Sequence, residues 1–415
     1  MRVLIGAFGT RGDVQPMLAL SQAMMAREHA VTLAVPPTAL ALAREVVPSA
    51  VAVGMGYEEV SRRAVTGKFR DLLSTVPLVR AEVNVQLEAM EGLAAGADVI
   101  AGSSVFTVGS LLGERFDKPY AFFLYCPQVL PSGDHPNPTV RRYGWPRWLN
   151  RLSWKTNDWL WGWMVGQAMD AARTSRGLPP MRGLWKTVLG SHPVAACDPA
   201  LASVPGDYPG PVRQVGALFM EERSELSAEV SAFLQAGPPP VYFGFGSMWD
   251  PDPGATTGRL IEAARMAGVR ALIHRGWAGL GADAAPEEVL FIGPEPHGKL
   301  FPRCAAVVHH GGAGTTHAAA RAGVPQVLMP HLMDQFYWRR RVALAGIGPP
   351  SVPRFGASPE PLARAVRACL EDEGLRERAR ALSARMVRDG AARAVKVLEG
   401  LVAGEGPIPA RPAAP

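Results

Sequence analysis

The chain has 415 residues, of which 48% are hydrophobic and 19% charged. That length calls for two or three domains, and the apolar share excludes disorder as the dominant state. Its net charge of +6, from 43 basic and 37 acidic residues without long like-charged runs, gives no reason to expect a nucleic-acid surface, although an anionic small substrate suits it.

In chain order, Val3–Phe8 reads as a buried strand running into a Gly-rich turn, and Pro16–Glu28 as the helix that follows. Proline favours the first helical position, which makes Gln15 the cap and leaves Asp13 as a loop carboxylate at a strand's carboxyl end. There it is placed to act as a base, or merely to tie the loop together. Ala30–Val35 is the next strand. It ends in Pro36-Pro37 with no acidic residue for an adenosine ribose, which argues against NAD. Val51–Val53, Asp98–Ala101 and Tyr120–Leu124 are further strands with helical segments between them. This alternation predicts right-handed βαβ units and a parallel sheet.

Residues 145–163 hold Trp145, Trp148, Trp154, Trp159, Trp161 and Trp163, interleaved with Arg147, Arg151, Lys155 and Asp158. The stretch reads as core packing, as an apolar acceptor pocket or as a membrane-surface helix. Pro-rich turns between 198 and 240 place a domain linker near 203–225. The alternation then restarts, with strands at Val241–Phe245, Val269–His274, Val289–Ile292, Ala305–His309 and Gln326–Met329, and helices at Thr257–Met266 and Gly312–Ala322. Helices fill 358–402, and the Pro/Gly/Ala-rich tail 404–415 is expected to be disordered. Two α/β halves of this kind predict ligands at the strands' carboxyl ends and a deep cleft between the domains.

The densest cluster of chemistry is Val307-Val308-His309-His310-Gly311-Gly312-Ala313-Gly314-Thr315-Thr316-His317. It follows a strand and opens a helix. Its glycines allow close backbone approach, the helix start offers unpaired N–H groups, and His310, Thr315 and Thr316 add side-chain donors. A pyrophosphate fits that description. His297, His309, His310, His317 and His331 raise the question of a metal, but adjacent His309 and His310 diverge on a strand and no H-E-x-x-H accompanies them, so no metal site is expected. Asp334 and Gln335 follow a strand and open another helix, as a pair that could read sugar hydroxyls or as a simple cap. Ser247, in Gly244-Phe245-Gly246-Ser247, could meet a phosphate. Cys126, Cys197, Cys304 and Cys369 are far apart and read as reduced thiols of a cytoplasmic protein. The N-terminus does not read as a signal peptide, and no stretch is long and apolar enough to span a membrane.

Taken together, GTRGDVQP at the start, GFGSM after the linker, and PHGKLFPRCAAVVHHGGAGTT followed by AGVPQVLMPHLMDQFYW resemble the GT-B nucleotide-sugar-dependent glycosyltransferases, the family of antibiotic and sterol glycosyltransferases. The resemblance covers nearly the whole chain. It implies two Rossmann-like doubly wound α/β domains facing across a cleft: an acceptor domain at 1–210, a nucleotide-sugar domain at 225–386, and a final helix near 387–403 packed back on the first. By position, it implies that Asp13 is the catalytic base, that His310, Gly312, Gly314, Thr315 and Ser247 hold the diphosphate, that Asp334 and Gln335 read the sugar, and that Pro294–His297 lie at the nucleobase. The family's stacking Trp is Pro294 here, and its ribose-binding acid falls on Ala318. The resemblance further implies an inverting hexosyl transfer from a UDP- or dTDP-linked sugar to a lipophilic acceptor, with no metal or other cofactor, no nucleic-acid partner and room for peripheral membrane contact. A nucleotide-sugar epimerase and a catalytically silent partner protein remain open alternatives.

Overall fold

The computed structural model describes residues 1–57, 74–181, 183–222, 224–282, 285–354 and 358–405. Most of the tail expected to be disordered therefore lies outside the described residues. The chain divides into two compact units. One is Met1–Met220 together with the chain from Val387 onward, and the other is Glu221–Met386.

The first unit is built on a seven-stranded parallel sheet in the order β3-β2-β1-β4-β5-β6-β7. Its strands are β1 (Arg2–Phe8), β2 (Ala30–Val35), β3 (Val51–Ala52), β4 (Val99–Ser104), β5 (Tyr120–Leu124), β6 (His192–Ala195) and β7 (Arg213–Gln214). The central strands are apolar runs with almost every residue buried, because helices cover both faces and no side chain can turn to water. The chain starts in the middle of the sheet, runs outward to β3, and returns to lay β4 beside β1. The register aligns Phe8 with Ser104. That reversal point is where loops from neighbouring strands part and leave room for a ligand.

The helix after β1 runs from Arg11 to Met25, five residues earlier at its start than the position of Pro16 suggested. Thr10 is the N-cap and Asp13 belongs to a capping box, so Asp13 is a first-turn residue rather than a loop residue. Pro16 sits inside the helix, where it cannot supply the N–H that the Gly12 carbonyl would otherwise accept. The last described helix, Gly390–Val402, closes the core of this unit. Ala394, Val395, Leu398 and Leu401 lie buried among Val14, Leu18, Val31 and Val99. At its rim Arg27 and His29 both hold Glu399, at 3.0 and 2.8 Å. Within the segment read as linker, Arg213–Gln214 pairs with Val194–Ala195 as a seventh strand.

The second unit has a five-stranded parallel sheet in the order β10-β9-β8-β11-β12. Here β8 is Val241–Gly244, β9 Ala271–His274, β10 Val289–Ile292, β11 Ala306–His309 and β12 Gln326–Leu328. It also starts in the middle and reverses, between β8 and β11, with His309 opposite Gly244. All four cysteines are buried and none is joined in a disulfide, and burial pushes the thiols of Cys304 and Cys369 up to about 12, so neither is a ready nucleophile. Among the described residues, no helix is long and apolar enough to cross a membrane.

Candidate functional site

Two groups of polar residues gather at the two reversal points, one in each unit.

In the first unit the centre is Asp13. The Thr10 N–H donates to its Oδ2 at 2.6 Å and the Thr10 hydroxyl to the same oxygen at 3.1 Å, while Ser104 Oγ donates to Oδ1 at 2.6 Å. Gly9 makes the approach possible: its φ is +131°, and a Cβ there would lie 2.2 Å from Asp13 Oδ2. Tyr125 donates from its hydroxyl to the Asp13 carbonyl at 2.9 Å and fixes the main chain. Burial raises the Asp13 pKa above the usual carboxylate range, and the bonds from Ser104 and Thr10 pull it part of the way back. The result is a fixed, desolvated carboxylate, the type of group that serves as a general base near neutral pH.

Sequence reasoning missed the surroundings of this carboxylate. Ser104 ends β4 with φ +53°, a backbone setting that non-glycine residues seldom take. Behind it, Glu82 accepts from the Tyr57 hydroxyl, the Met55 N–H and Gln86 Nε2. Burial, then the charge of Glu82, drives the Tyr57 pKa up, and the charge of Asp13 adds to this. None of these residues carries a motif. The adjacency of β1 and β4 brings Ser104 to Asp13, and the helix Val76–Ala95 brings Glu82 and Gln86 to Tyr57.

In the second unit the centre is His310. The helix Ala313–Ala322 starts directly after it, with Gly312 as N-cap and no side-chain cap. The N–H groups of Ala313, Gly314 and Thr315 lie in the first turn and so have no partner within the helix. His310 is buried, its Nδ1 makes no hydrogen bond, and its ring sits between two glycines. A Cβ at Gly312 would come 2.4 Å from His310 Nε2, and one at Gly246 would come 3.3 Å from Cε1. The turn after β8, which carries Ser247, is thereby brought against His310. Burial first, and then the charges of His309 and Arg354 against an opposing contact with the Gly244 backbone, lower the His310 pKa to about 3, so the imidazole is neutral at physiological pH. A neutral buried imidazole beside uncapped helix N–H groups favours an anion, whose charge would restore what burial removed.

The neighbouring polar residues have different duties. The Gly311 N–H donates to His309 Nδ1 at 3.1 Å, which puts the proton of His309 on Nε2, donated to Gln326 Oε1 at 2.9 Å. Gln326 in turn donates to the Thr316 carbonyl. His309 is thus a staple joining β11, β12 and the helix. Thr316 was read as a donor to phosphate, but its hydroxyl donates to the Gly312 carbonyl at 2.8 Å. Gly314 is exposed, and a Cβ there would meet nothing.

Asp334 and Gln335 have different partners within the chain. Gln335 is buried. Its Oε1 accepts from the N–H groups of His331 and Leu332, at 2.7 and 3.0 Å, and its Nε2 reaches Met248 Sδ. It ties the loop after β12 to the turn after β8 and presents no spare carbonyl to a sugar. Asp334 stands, half-buried, at the N-cap position of the helix Gln335–Leu344 without a side-chain capping bond, and accepts from Trp338 Nε1 at 3.2 Å. His297 begins a short helix after β10 and stacks on Phe301 at 4.2 Å, with Tyr242 edge-on at 5.9 Å. A further cation went unnoticed in the sequence. Arg354, almost fully buried, lies 3.3 Å from Asp250 and also donates to the Trp249 carbonyl. Burial chiefly depresses the pKa values of His310 and His331, and the charge of Arg354 adds to it at both.

Comparison with known proteins places these features in a family. Residues 3–94 match the glycosyltransferase family 28 N-terminal domain, and residues 271–401 match the erythromycin biosynthesis protein CIII-like C-terminal domain. The chain is 35% identical to the vancomycin aglycone glucosyltransferase of Amycolatopsis orientalis over 416 residues, 98% of this chain and 99% of that one. Among solved structures, the calicheamicin glycosyltransferase CalG4 superposes with a TM-score of 0.73 at 18% identity, covering 98% of this chain and 99% of that chain. The glycosyltransferase VinC in complex with dTDP does so with 0.67 at 19% identity, covering 97% and 100%.

Proposed function

Because this chain belongs to the GT-B glycosyltransferases that include the antibiotic-modifying enzymes, we propose that it is an inverting glycosyltransferase moving a hexose from a UDP- or dTDP-linked donor to a hydroxyl of a lipophilic natural product. The observation that carries this reading is the cradle around His310: a neutral buried imidazole with an unbonded Nδ1, next to an uncapped helix N-terminus. The identity with an aglycone glucosyltransferase supports the acceptor class, and the dTDP complex of VinC supports the donor class.

In the proposed reaction, Asp13 takes the proton of the acceptor hydroxyl as that oxygen bonds to the anomeric carbon. The bond between that carbon and the diphosphate oxygen breaks, the electron pair leaves with the diphosphate, and the configuration inverts. Charge developing on the leaving oxygens is met by the N–H groups of Ala313, Gly314 and Thr315, the Thr315 and Ser247 hydroxyls, and His310. Asp334 holds a sugar hydroxyl. The helix dipole and these donors supply the charge stabilisation, and the proposal assigns no step to a metal. Incubation with UDP-glucose or dTDP-sugars and a panel of polyketide, macrolide, sterol and glycopeptide aglycones, with product anomers read by NMR, tests it. Transfer with inverted configuration is expected, and retention of configuration or absence of nucleotide binding overturns the reading.

A further inference from the structure

The helix Arg147–Trp161 is turned inside out. Its buried residues include Asn150, Ser153 and Asn157, whereas Trp148, Leu152 and Trp159 are 66%, 46% and 74% exposed. At about 100° per residue, positions 148, 152, 155 and 159 fall in a stripe roughly 60° wide, and the buried positions lie on the opposite side. The polar side is bonded from within at Asn150 Nδ2 and Ser153, while the Asn157 amide and Asn150 Oδ1 are buried without a hydrogen bond. Asn150 Nδ2 donates to the Gly133 carbonyl at 2.8 Å, and Ser153 Oγ accepts from the Asn137 N–H at 3.1 Å. Of the apolar residues only Trp154 is fully buried, packed edge-on against Trp185, and Leu149, Leu160 and Trp161 are partly buried. Past the helix end, Trp163 extends the outer patch at 48% exposure, with the Arg80 guanidinium 5.9 Å from its ring centroid. A soluble protein seldom leaves several large rings together in water without a partner for them.

Charge identifies the partner. Residues 141–163 contain Arg141, Arg142, Arg147, Arg151 and Lys155 and one acid, Asp158. Asp158 turns inward and accepts from the N–H groups of Leu184 and Trp185. Asp134 and Asp207 meet Arg147 and Arg151, yet both arginine side chains stay more than half exposed. Lys155 stands in the apolar stripe itself and is exposed. Indole rings level with a row of cations match the headgroup layer of a bilayer, where the rings sit among carbonyls and the cations reach phosphates. A second copy of the same face would set arginine against arginine. A small aglycone would need a concavity, and the outer side of a helix is convex.

We infer that this face docks on the surface of an anionic lipid bilayer. The whole protein should sediment with vesicles of phosphatidylcholine containing about 30% phosphatidylglycerol, weakly or not at all with phosphatidylcholine alone, and less at about 0.5 M salt. Lipids brominated near the headgroup should quench its tryptophan fluorescence, a measurement that needs no variant. Trp148→Gln/Trp159→Gln, with unchanged nucleotide affinity and Tm, should partition at least about tenfold more weakly. The inference is overturned if the parent protein fails to bind and is not quenched, or if the double variant binds as well as the parent. A double variant that alters only the oligomeric state in light scattering, or only the acceptor KM, overturns it too, and assigns the face to a second copy or to the acceptor.

Discussion

Ser104 Oγ donates to Asp13 Oδ1 across 2.6 Å, joining the end of β4 to the first turn of the helix that follows β1, ninety-one positions earlier in sequence. The bond favours the ionised carboxylate, and burial opposes it. Asp13→Asn should lower kcat by about 10²–10⁴ with nucleotide affinity nearly unchanged, as loss of a general base does. Ser104→Ala removes a bond that lowers the Asp13 pKa. The acid limb of its kcat profile should therefore move to higher pH, because a base with a raised pKa is lost sooner as pH falls. An unmoved limb would show that Asp13 is not the group titrating.

The two glycines of the phosphate cradle should respond differently. At Gly312 a methyl would strike His310 Nε2, so Gly312→Ala should displace the ring, lower Tm and weaken nucleotide binding together. At Gly314 it meets open space. Gly314→Ala should keep its Tm and lose affinity only because the methyl stands where phosphate belongs. Isothermal titration with UDP and dTDP beside thermal melts separates the two. A Gly314→Ala protein that binds normally would put the phosphate elsewhere.

Gln335 and Asp334 separate in the same way. Gln335→Ala strands the buried N–H of His331 and the part-buried N–H of Leu332, and about 1–3 kcal/mol of stability should go with the buried one left unsatisfied. Asp334→Asn should leave denaturant unfolding almost unchanged and raise the donor KM. Chemical denaturation and donor titration of both variants test the division. An Asp334→Asn enzyme with unaltered KM would remove it from the sugar.

The buried histidines make the second unit acid-sensitive. His309 is lowered to about 4 and His310 to about 3, so below roughly pH 6.5 the unfolded chain binds protons that the folded chain does not. Stability should therefore fall as pH drops from about 6.5 toward 4, by up to about 1.4 kcal/mol per pH unit for each of the two groups. Melts across that range should show the slope. His310→Gln should shallow it, and an unchanged slope would mean that His310 is not buried neutral.

Much of this architecture was legible in the sequence because a sheet covered on both faces writes itself as apolar runs, and Tyr120–Leu124 and Val289–Ile292 fall where those runs do. β6 was missed because it is short and contains Pro193, and β7 because two residues, Arg213 and Gln214, carry no pattern. Proline preference misplaced the start of the first helix, since Pro16 lies inside it and the capping box of Thr10 and Asp13 sets the beginning. The glycine-histidine run marked its own loop. Ser104, Glu82 and Arg354 did not, because their roles depend on which strand ends are neighbours. The sequence showed that Gln335 was polar and placed at a helix start, but not that its amide oxygen already accepts from two backbone N–H groups.

The core of the first unit is completed by Ala394, Val395, Leu398 and Leu401, residues made after the whole of Glu221–Met386. During synthesis the first sheet must therefore wait, with the side of the helix Arg11–Met25 that faces Leu398 uncovered, while the second unit emerges and can fold. At about 5–20 residues per second the wait lasts on the order of ten seconds or more. Order of birth and order of completion are thus reversed: the part that begins the chain is the last to be finished. A ribosome that stops short of residue 390 releases a second unit with all five strands and a first unit that is still open.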